Sequence, residues 1–250
     1  MITGVLTSCE RHDLLVKTLR SFYAVNTFPL DKMIVVEDGL SIPESVRSEF
    51  RNYPVEWIST GERVGQIAAI DYAYSRVVTP YIFHLEDDWE FYRGGFIEKS
   101  LVILRSQPKC LQVWIRALDD LMGHPVLPYD FKDDGVEWKR LAYDYKKYWH
   151  GFSFNPGLRR MRDYVAINGY GGHGRFDSND PQNTEENLCR VYRQRDFFAA
   201  VLSDEEGSGY VRHSGDDRHI GGWGHDEQPP SLPRRAWRKL IRIAQATAGR

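Results

Sequence analysis

Four short apolar runs recur in the first hundred residues, at 2–7, 33–36, 55–59 and 81–85. Each is rich in β-branched or aromatic residues, the composition of strands. Between the first two lies RHDLLVKTLRSFYAVN, where Leu15, Leu19, Phe22 and Tyr23 share one helical face and Asp13 is placed to cap its start. Between the third and fourth lies GQIAAIDYAYSRV, with Ile67, Ile70, Tyr74 and Val77 at helical spacing. Strands buried on both faces and alternating with helices predict a parallel α/β sheet.

The second half is less regular. A strand-like LQVWIRAL precedes Asp119 and Asp120, and Tyr210, Val211 and Arg212 form another short strand-like stretch. NTEENLCRVYRQRDFFAAVL reads as a helix capped by Asn183 or Thr184, with acids in its first turn. From residue 229 the chain turns basic, with Arg234, Arg235, Arg238, Lys239, Arg242 and Arg250. A tail helix there would align Trp237, Leu240, Ile241 and Ala244, a stripe that suits packing on the domain, an anionic membrane or a phosphate backbone.

Composition narrows the class. With 42% hydrophobic and 27% charged residues the chain is globular, which excludes collagen, coiled coil and wholesale disorder. A net charge of −2 argues against a protein that binds nucleic acid by its overall field. Cys9, Cys110 and Cys189 form no CxxC pair, so neither a zinc knuckle nor a disulfide framework is expected. The opening MITGVLTSCERHD lacks a basic signal-peptide start, and no apolar run approaches a membrane span. The expectation is a cytoplasmic protein, peripheral at a membrane if the tail binds one.

In parallel sheets, ligands sit beyond the carboxyl ends of the strands. There the chain places Thr7, Ser8, Cys9, Glu10 and Arg11; Glu37, Asp38 and Gly39; Gly61 to Gly65, including Arg63; and Glu86, Asp87 and Asp88. Carboxylates gathered at one edge repel unless a cation or hydrogen-bond donors stabilise them. Three successive acids directly after YIFHL offer hard oxygen ligands suited to Mg²⁺ or Mn²⁺, which in turn bind diphosphates. The stretch GYGGHG (169–174) formally matches a dinucleotide fingerprint, but no apolar helix can follow it, so a NAD site is not expected.

The order LTSCERHDLLVKTLRSF, VVEDG, ERVGQIAAIDYAYSRVVTPYIFHLEDDWEF resembles family-2 glycosyltransferases of the GT-A fold, over about residues 2 to 92. The resemblance implies one Rossmann-like GT-A domain over 1–228, with a nucleotide-sugar half (1–92), an acceptor and catalytic half (93–228), and the basic tail (229–250). It implies that Thr7, Ser8, Arg11, Glu37, Asp38 and Arg63 hold the nucleotide, under a glycine-led helix starting at Gly65 and Gln66. Glu86-Asp87-Asp88 stands where the family has its DxD motif, with Glu86 replacing the first aspartate. Asp87 would then approach ribose or phosphate, and Asp88 would bind the Mn²⁺ or Mg²⁺ that bridges the diphosphate.

Further along, WHGFSFNPGLRRMRDY looks like the segment shaping the acceptor side, with Trp149, Phe152 and Phe154 as stacking residues. Glu186, then Glu185, match the family's general base at an acidic helix start. His213, then His219, match the late histidine that completes the metal site. The implied donor is a UDP- or GDP-linked sugar, and the acceptor a glycan, lipid-linked glycan, protein or nucleobase hydroxyl. The tail would reach a membrane or nucleic acid. Inversion follows from the resemblance, and the absence of a QxxRW motif favours single addition. The competing readings are a non-catalytic nucleotide-sugar or glycan-binding domain and a sugar nucleotidyltransferase. The latter normally has a glycine-rich basic loop after strand one, unlike TSCERHD.

Overall fold

The computed structural model describes residues 1–143, 145, 149–173, 181–202 and 207–215. Its first half follows the predicted alternation: β1 (Ile2–Ser8), α1 (His12–Val25), β2 (Lys32–Glu37), α2 (Glu44–Glu49), β3 (Val55–Ser59), α3 (Gln66–Tyr74) and β4 (Tyr81–Glu86). These four strands are parallel and lie in the order β3-β2-β1-β4. Ser8 pairs with Glu37, Glu37 with Ser59, and Thr7 with Glu86, so all four strand ends reach the same edge.

Then follow β5 (Trp89–Phe91), α4 (Phe96–Ser106), β6 (Cys110–Trp114), β7 (Phe131–Asp133), β8 (Val136–Arg140), β9 (Gly157–Arg160), α5 (Met161–Val165), α6 (Pro181–Arg193), β10 (Phe198–Leu202) and β11 (Val211–His213). The sheet continues β4-β9-β6-β10-β8-β7, nine strands in all, while β5 and β11 form a separate antiparallel ribbon. β9 enters backwards between β4 and β6, β6 resumes the direction of β4, and β10 runs parallel beside it. The result is a mostly parallel mixed sheet.

Alternate side chains along each strand feed opposite faces. Leu6, Met33 and Val35 join Leu15, Leu19 and Phe22 of α1 and Phe96, Ile97 and Leu101 of α4. Val5, Ile34 and Val36 join Ile67, Ile70 and Tyr74 of α3 and Leu188 and Tyr192 of α6. Burying side chains of this size is worth roughly 1.5–3 kcal/mol each, which fixes both helix layers on the sheet.

Three expectations need correction. Asp13 lies inside α1, whose cap position is Arg11; the Arg11 carbonyl accepts the first helical bond from Leu15, at 2.9 Å. α6 starts at Pro181, before Asn183 and Thr184, with proline where its missing N–H costs nothing. Glu185 and Glu186 therefore fall past the first turn, where the helix dipole gives them little. The same helix stops at Arg193, and Asp196 takes a left-handed φ of 60°. Phe198–Leu202 is a fully buried strand, because the slot between β6 and β8 outweighs its alanine content. Residues 229–250 lie outside the described residues.

Candidate functional site at the carboxyl edge of the sheet

The loops at the β1, β2 and β3 ends are held by the acids found in them. Glu37 is fully buried, and its Oε1 accepts from the Glu10 backbone N–H at 2.5 Å, holding Glu10 at a φ of 54°. Arg63 donates to Glu10 at 2.5 Å across the same loops. Asp38 accepts from the N–H groups of Val64 (2.7 Å) and Gly65 (2.9 Å), shaping the entry to α3. Gly65 has φ 91°, a conformation that favours glycine. Burial pushes the Asp38 carboxyl up, against these hydrogen bonds. In this arrangement Glu37 and Asp38 brace the loops rather than standing open to a ligand.

The acid triplet is built differently. Thr18, a polar residue on the apolar face of α1, donates to the Asp87 carbonyl at 2.7 Å and accepts from the Trp89 N–H at 3.1 Å. This clamps the turn after β4. Arg11 forks onto Asp87 through Nε (3.3 Å) and Nη2, and reaches Asp88 through Nη1 at 2.9 Å. Asp87 is fully buried, and burial pushes its carboxyl up to about 7, with Arg11 opposing and Asp88 adding to the rise. Here Asp87 positions Arg11.

His213 stands on the other side of Asp88, with Nε2 3.4 Å from Asp88 Oδ2. It is aimed there by the β5–β11 ladder, which pairs His213 with Trp89, and by Ser214 N–H donating to the Asp88 carbonyl at 2.8 Å. Burial acts to raise Asp88, but the hydrogen bond with His213 and the Arg11 charge outweigh it and hold the carboxyl low. The same contact raises His213. A Cβ on Gly215 would sit 2.7 Å from the His213 ring and 3.2 Å from Asp88 Oδ2, so glycine keeps this space open.

Glu86 accepts from Gln66 Nε2 at 2.5 Å, so the first residue of α3 touches the triplet. Burial, and then the charges of Asp88, Glu185 and Asp87, push Glu86 up to about 8. Glu185 reaches this cluster from α6. Its Oε1 accepts from the Phe154 N–H at 2.6 Å, and burial pushes the carboxyl up to about 7. Glu186 instead lies 3.9 Å from Arg190 on its own helix.

The structure thus brings together Arg11, Gln66, Glu86, Asp87, Asp88, Glu185 and His213, while Thr7 and Ser8 are buried at the end of β1. Trp149, Phe152 and Phe154 are each 2% exposed. Phe152 and Phe154 pack on each other at 5.1 Å and on Tyr170, and Trp149 against Tyr143. As placed, these rings fill the core and offer no open face to a sugar. His219 lies outside the described residues. The GYGG part of the rejected fingerprint wraps the buried Asp71, which accepts from Tyr164 Oη (2.9 Å), Tyr170 N (3.0 Å) and Gly171 N (2.8 Å).

Among the described residues no group of three or more His, Cys, Asp or Glu side chains is disposed to hold a metal. The donors nonetheless fit one: a carboxylate and an imidazole converge beside the space kept by Gly215, a set suited to Mn²⁺, with phosphate oxygens or water completing the shell. Sequence reading overlooked Thr18, Asp71 and Arg159, although the first two show as polar residues on otherwise apolar helix faces.

A parallel half-sheet in 3-2-1-4 order, one inserted antiparallel strand and an acid turn after β4 define the GT-A fold of glycosyltransferases. No protein-family model and no curated protein sequence matches the chain. Among solved structures, the chain is similar to S. aureus TarS 1-349, with TM-score 0.58 and 12% identity over 86% of this chain and 60% of that one. It is similar to the mannosyltransferase PcManGT from Pyrobaculum calidifontis, solved with GDP-Man and Mn²⁺, with TM-score 0.56 and 12% identity over 82% and 58%. GalNAc-T7, solved with UDP, GalNAc and Mn²⁺, has TM-score 0.62 and 13% identity over 98% and 48%. The chain therefore spans about half to three fifths of these proteins' lengths, and the likeness is one of fold. No helix among the described residues is long and apolar enough to cross a membrane.

Proposed function

We propose that the chain is a metal-dependent glycosyltransferase that moves a sugar from a nucleotide diphosphate donor to an acceptor hydroxyl with inversion, one addition per encounter. The observation that carries this reading is the convergence of Arg11, Asp88 and His213 with Glu86 and Glu185 at one sheet edge. Asp88 and His213 would hold Mn²⁺ or Mg²⁺, which when bound neutralises charge on the leaving diphosphate. Arg11, already beside Asp88, supplies a second positive charge for the same phosphates.

Glu185 takes the role of base. Its partial ionisation near neutral pH and its place facing Glu86 suit it to accept the acceptor hydroxyl proton. The freed oxygen attacks the anomeric carbon in line, and the bond to the diphosphate oxygen breaks with its electrons leaving on phosphate. Glu186, beside Arg190, is the weaker candidate. The domain is taken as residues 1–228, with the donor UDP- or GDP-linked and the acceptor a glycan, lipid-linked glycan, protein or nucleobase hydroxyl. A cytoplasmic setting is part of the same reading, with the tail from 229 touching a membrane or nucleic acid.

Thermal unfolding with UDP-, GDP-, CMP- and dTDP-sugars, each with and without Mn²⁺, tests this reading. One nucleotide that stabilises the fold only with Mn²⁺ supports it and identifies the donor class. No stabilisation by any of them overturns it.

A further inference from the structure

Arg159 is the one charged residue of β9 turned into the aromatic core beneath the site, and it is 3% exposed. Its neighbours across the sheet are Ile82 and Gln112. Among the described residues it forms no ion pair, and its Nε and Nη1 atoms find no hydrogen-bond acceptor in good geometry. Phe152 lies 5.3 Å from the guanidinium, with Tyr74, Tyr170 and Tyr192 around it. An uncompensated buried charge is strongly unfavourable, so a compensating group is expected close by.

The geometry points to one. Arg159 Nη2 donates to the carbonyls of Ser153 (2.7 Å) and Asn155 (3.4 Å), bracketing Phe154 from both sides. The Phe154 N–H between them holds Glu185 Oε1 at 2.6 Å, and the Ser153 hydroxyl also faces this carboxyl. Among the described residues, the groups facing Glu185 are Arg159 from β9, Ser153 and Phe154 from the preceding turn, Glu86 from the end of β4, and Cys189 one turn along α6. Arg159 is the cation among them.

We propose that Arg159 is the positioning residue for Glu185, anchoring the turn that grips its carboxyl and supplying a buried positive charge that favours the carboxylate form. This rests on the reading of Glu185 as base.

The test follows the Glu185 carboxyl directly, by ¹³C NMR titration of protein labelled at glutamate Cδ, with the signal assigned by its loss in Glu185→Gln. Arg159→Gln removes the charge and should move the Glu185 midpoint up. Arg159→Lys keeps the charge and should leave the midpoint near that of the native protein. An unmoved midpoint in Arg159→Gln, or an equal shift in both variants, overturns the proposal. Should Arg159→Gln fail to fold, the charge is removed by Arg159→Met instead, and that variant is combined with Glu185→Gln. A positioning role requires their losses in kcat to be non-additive, and additive losses overturn it. If Glu185→Gln transfers sugar at the native rate, the reading of Glu185 as base fails, and the NMR titration still decides whether Arg159 governs that carboxyl.

Discussion

The two halves of the sheet prepare their shares of the site by opposite means. On the β1–β4 side, acids at the strand ends grip backbone N–H groups and Arg11, so the loops are fixed by hydrogen bonds at the surface edge. On the β9–α6 side, Glu185 stands over a core of Phe152, Phe154, Tyr170 and Tyr192, with Asp71 and Arg159 buried among them. The first arrangement concentrates charge where a diphosphate can neutralise it. The second sets one carboxyl, Glu185, against an aromatic core, where burial raises its affinity for a proton as it does for Glu86 and Asp87 at the edge. A transferase of the proposed kind needs both, an anion-binding edge for the donor and a tuned base for the acceptor.

The donor-side edge depends most on Asp88, which Arg11 and His213 share. Asp88→Ala should abolish Mn²⁺-dependent nucleotide binding and lower transfer about 10³-fold or more, consistent with several kcal/mol of lost charge stabilisation. Calorimetry of nucleotide binding with Mn²⁺ checks the first part and donor turnover the second. Next in size is the base. Glu185→Gln should lower kcat about 10²- to 10³-fold with the donor Kd unchanged. Glu186→Gln should stay within about threefold, because that side chain is engaged with Arg190 on its own helix. The reverse ranking would return the base to the residue that family resemblance favours.

The difference between the halves also explains what the sequence reveals. The parallel half was legible because each strand is an unbroken apolar run, and a run that stops at an acid marks a strand end without further information. All four strands and the acid triplet were read in place. The second half defeats the same logic. β9 is GLRR, a strand with two arginines, and only its insertion between β4 and β6 makes it one. Phe198–Leu202 is FAAVL, whose alanines continue a helical pattern until Asp196 interrupts it. Trp149, Phe152 and Phe154 look like a sugar platform in one dimension, yet three-dimensional packing turns them inward. What sequence could not supply was long-range pairing. The same is true of the site: Arg11, Asp87 and Asp88 were named, but not that Arg11 ties the two acids together.

A smaller effect separates the two kinds of anchoring acid. Asp71→Ala strands three donors in the core, from Tyr164, Tyr170 and Gly171, and should cost about 3 kcal/mol in urea unfolding. Asp38→Ala frees the N–H groups of Val64 and Gly65 at the loop edge, where water can replace the carboxylate, and should cost about 1 kcal/mol. Equal costs would mean that the edge is as dry as the core.

The gentlest probe is pH. Glu86, Asp87 and Glu185 are pushed up to about 8, 7 and 7, while unfolded carboxyls titrate near 4. Between these values the folded chain binds more protons than the unfolded one, so stability falls as pH rises from about 5 to 8. Asp88 has the opposite sign: held low, it contributes stability above the unfolded value and loses it only in stronger acid. The metal-free protein should therefore melt at a higher temperature at pH 5.5 than at pH 8. Mn²⁺ with the nucleotide should narrow that gap by stabilising the ionised cluster at the higher pH. The two halves can be told apart in one scan. Glu185→Gln removes the acceptor-side share of the slope and leaves that of Asp87, whereas a slope unchanged by the substitution would mean that the donor-side acids alone set the pH response.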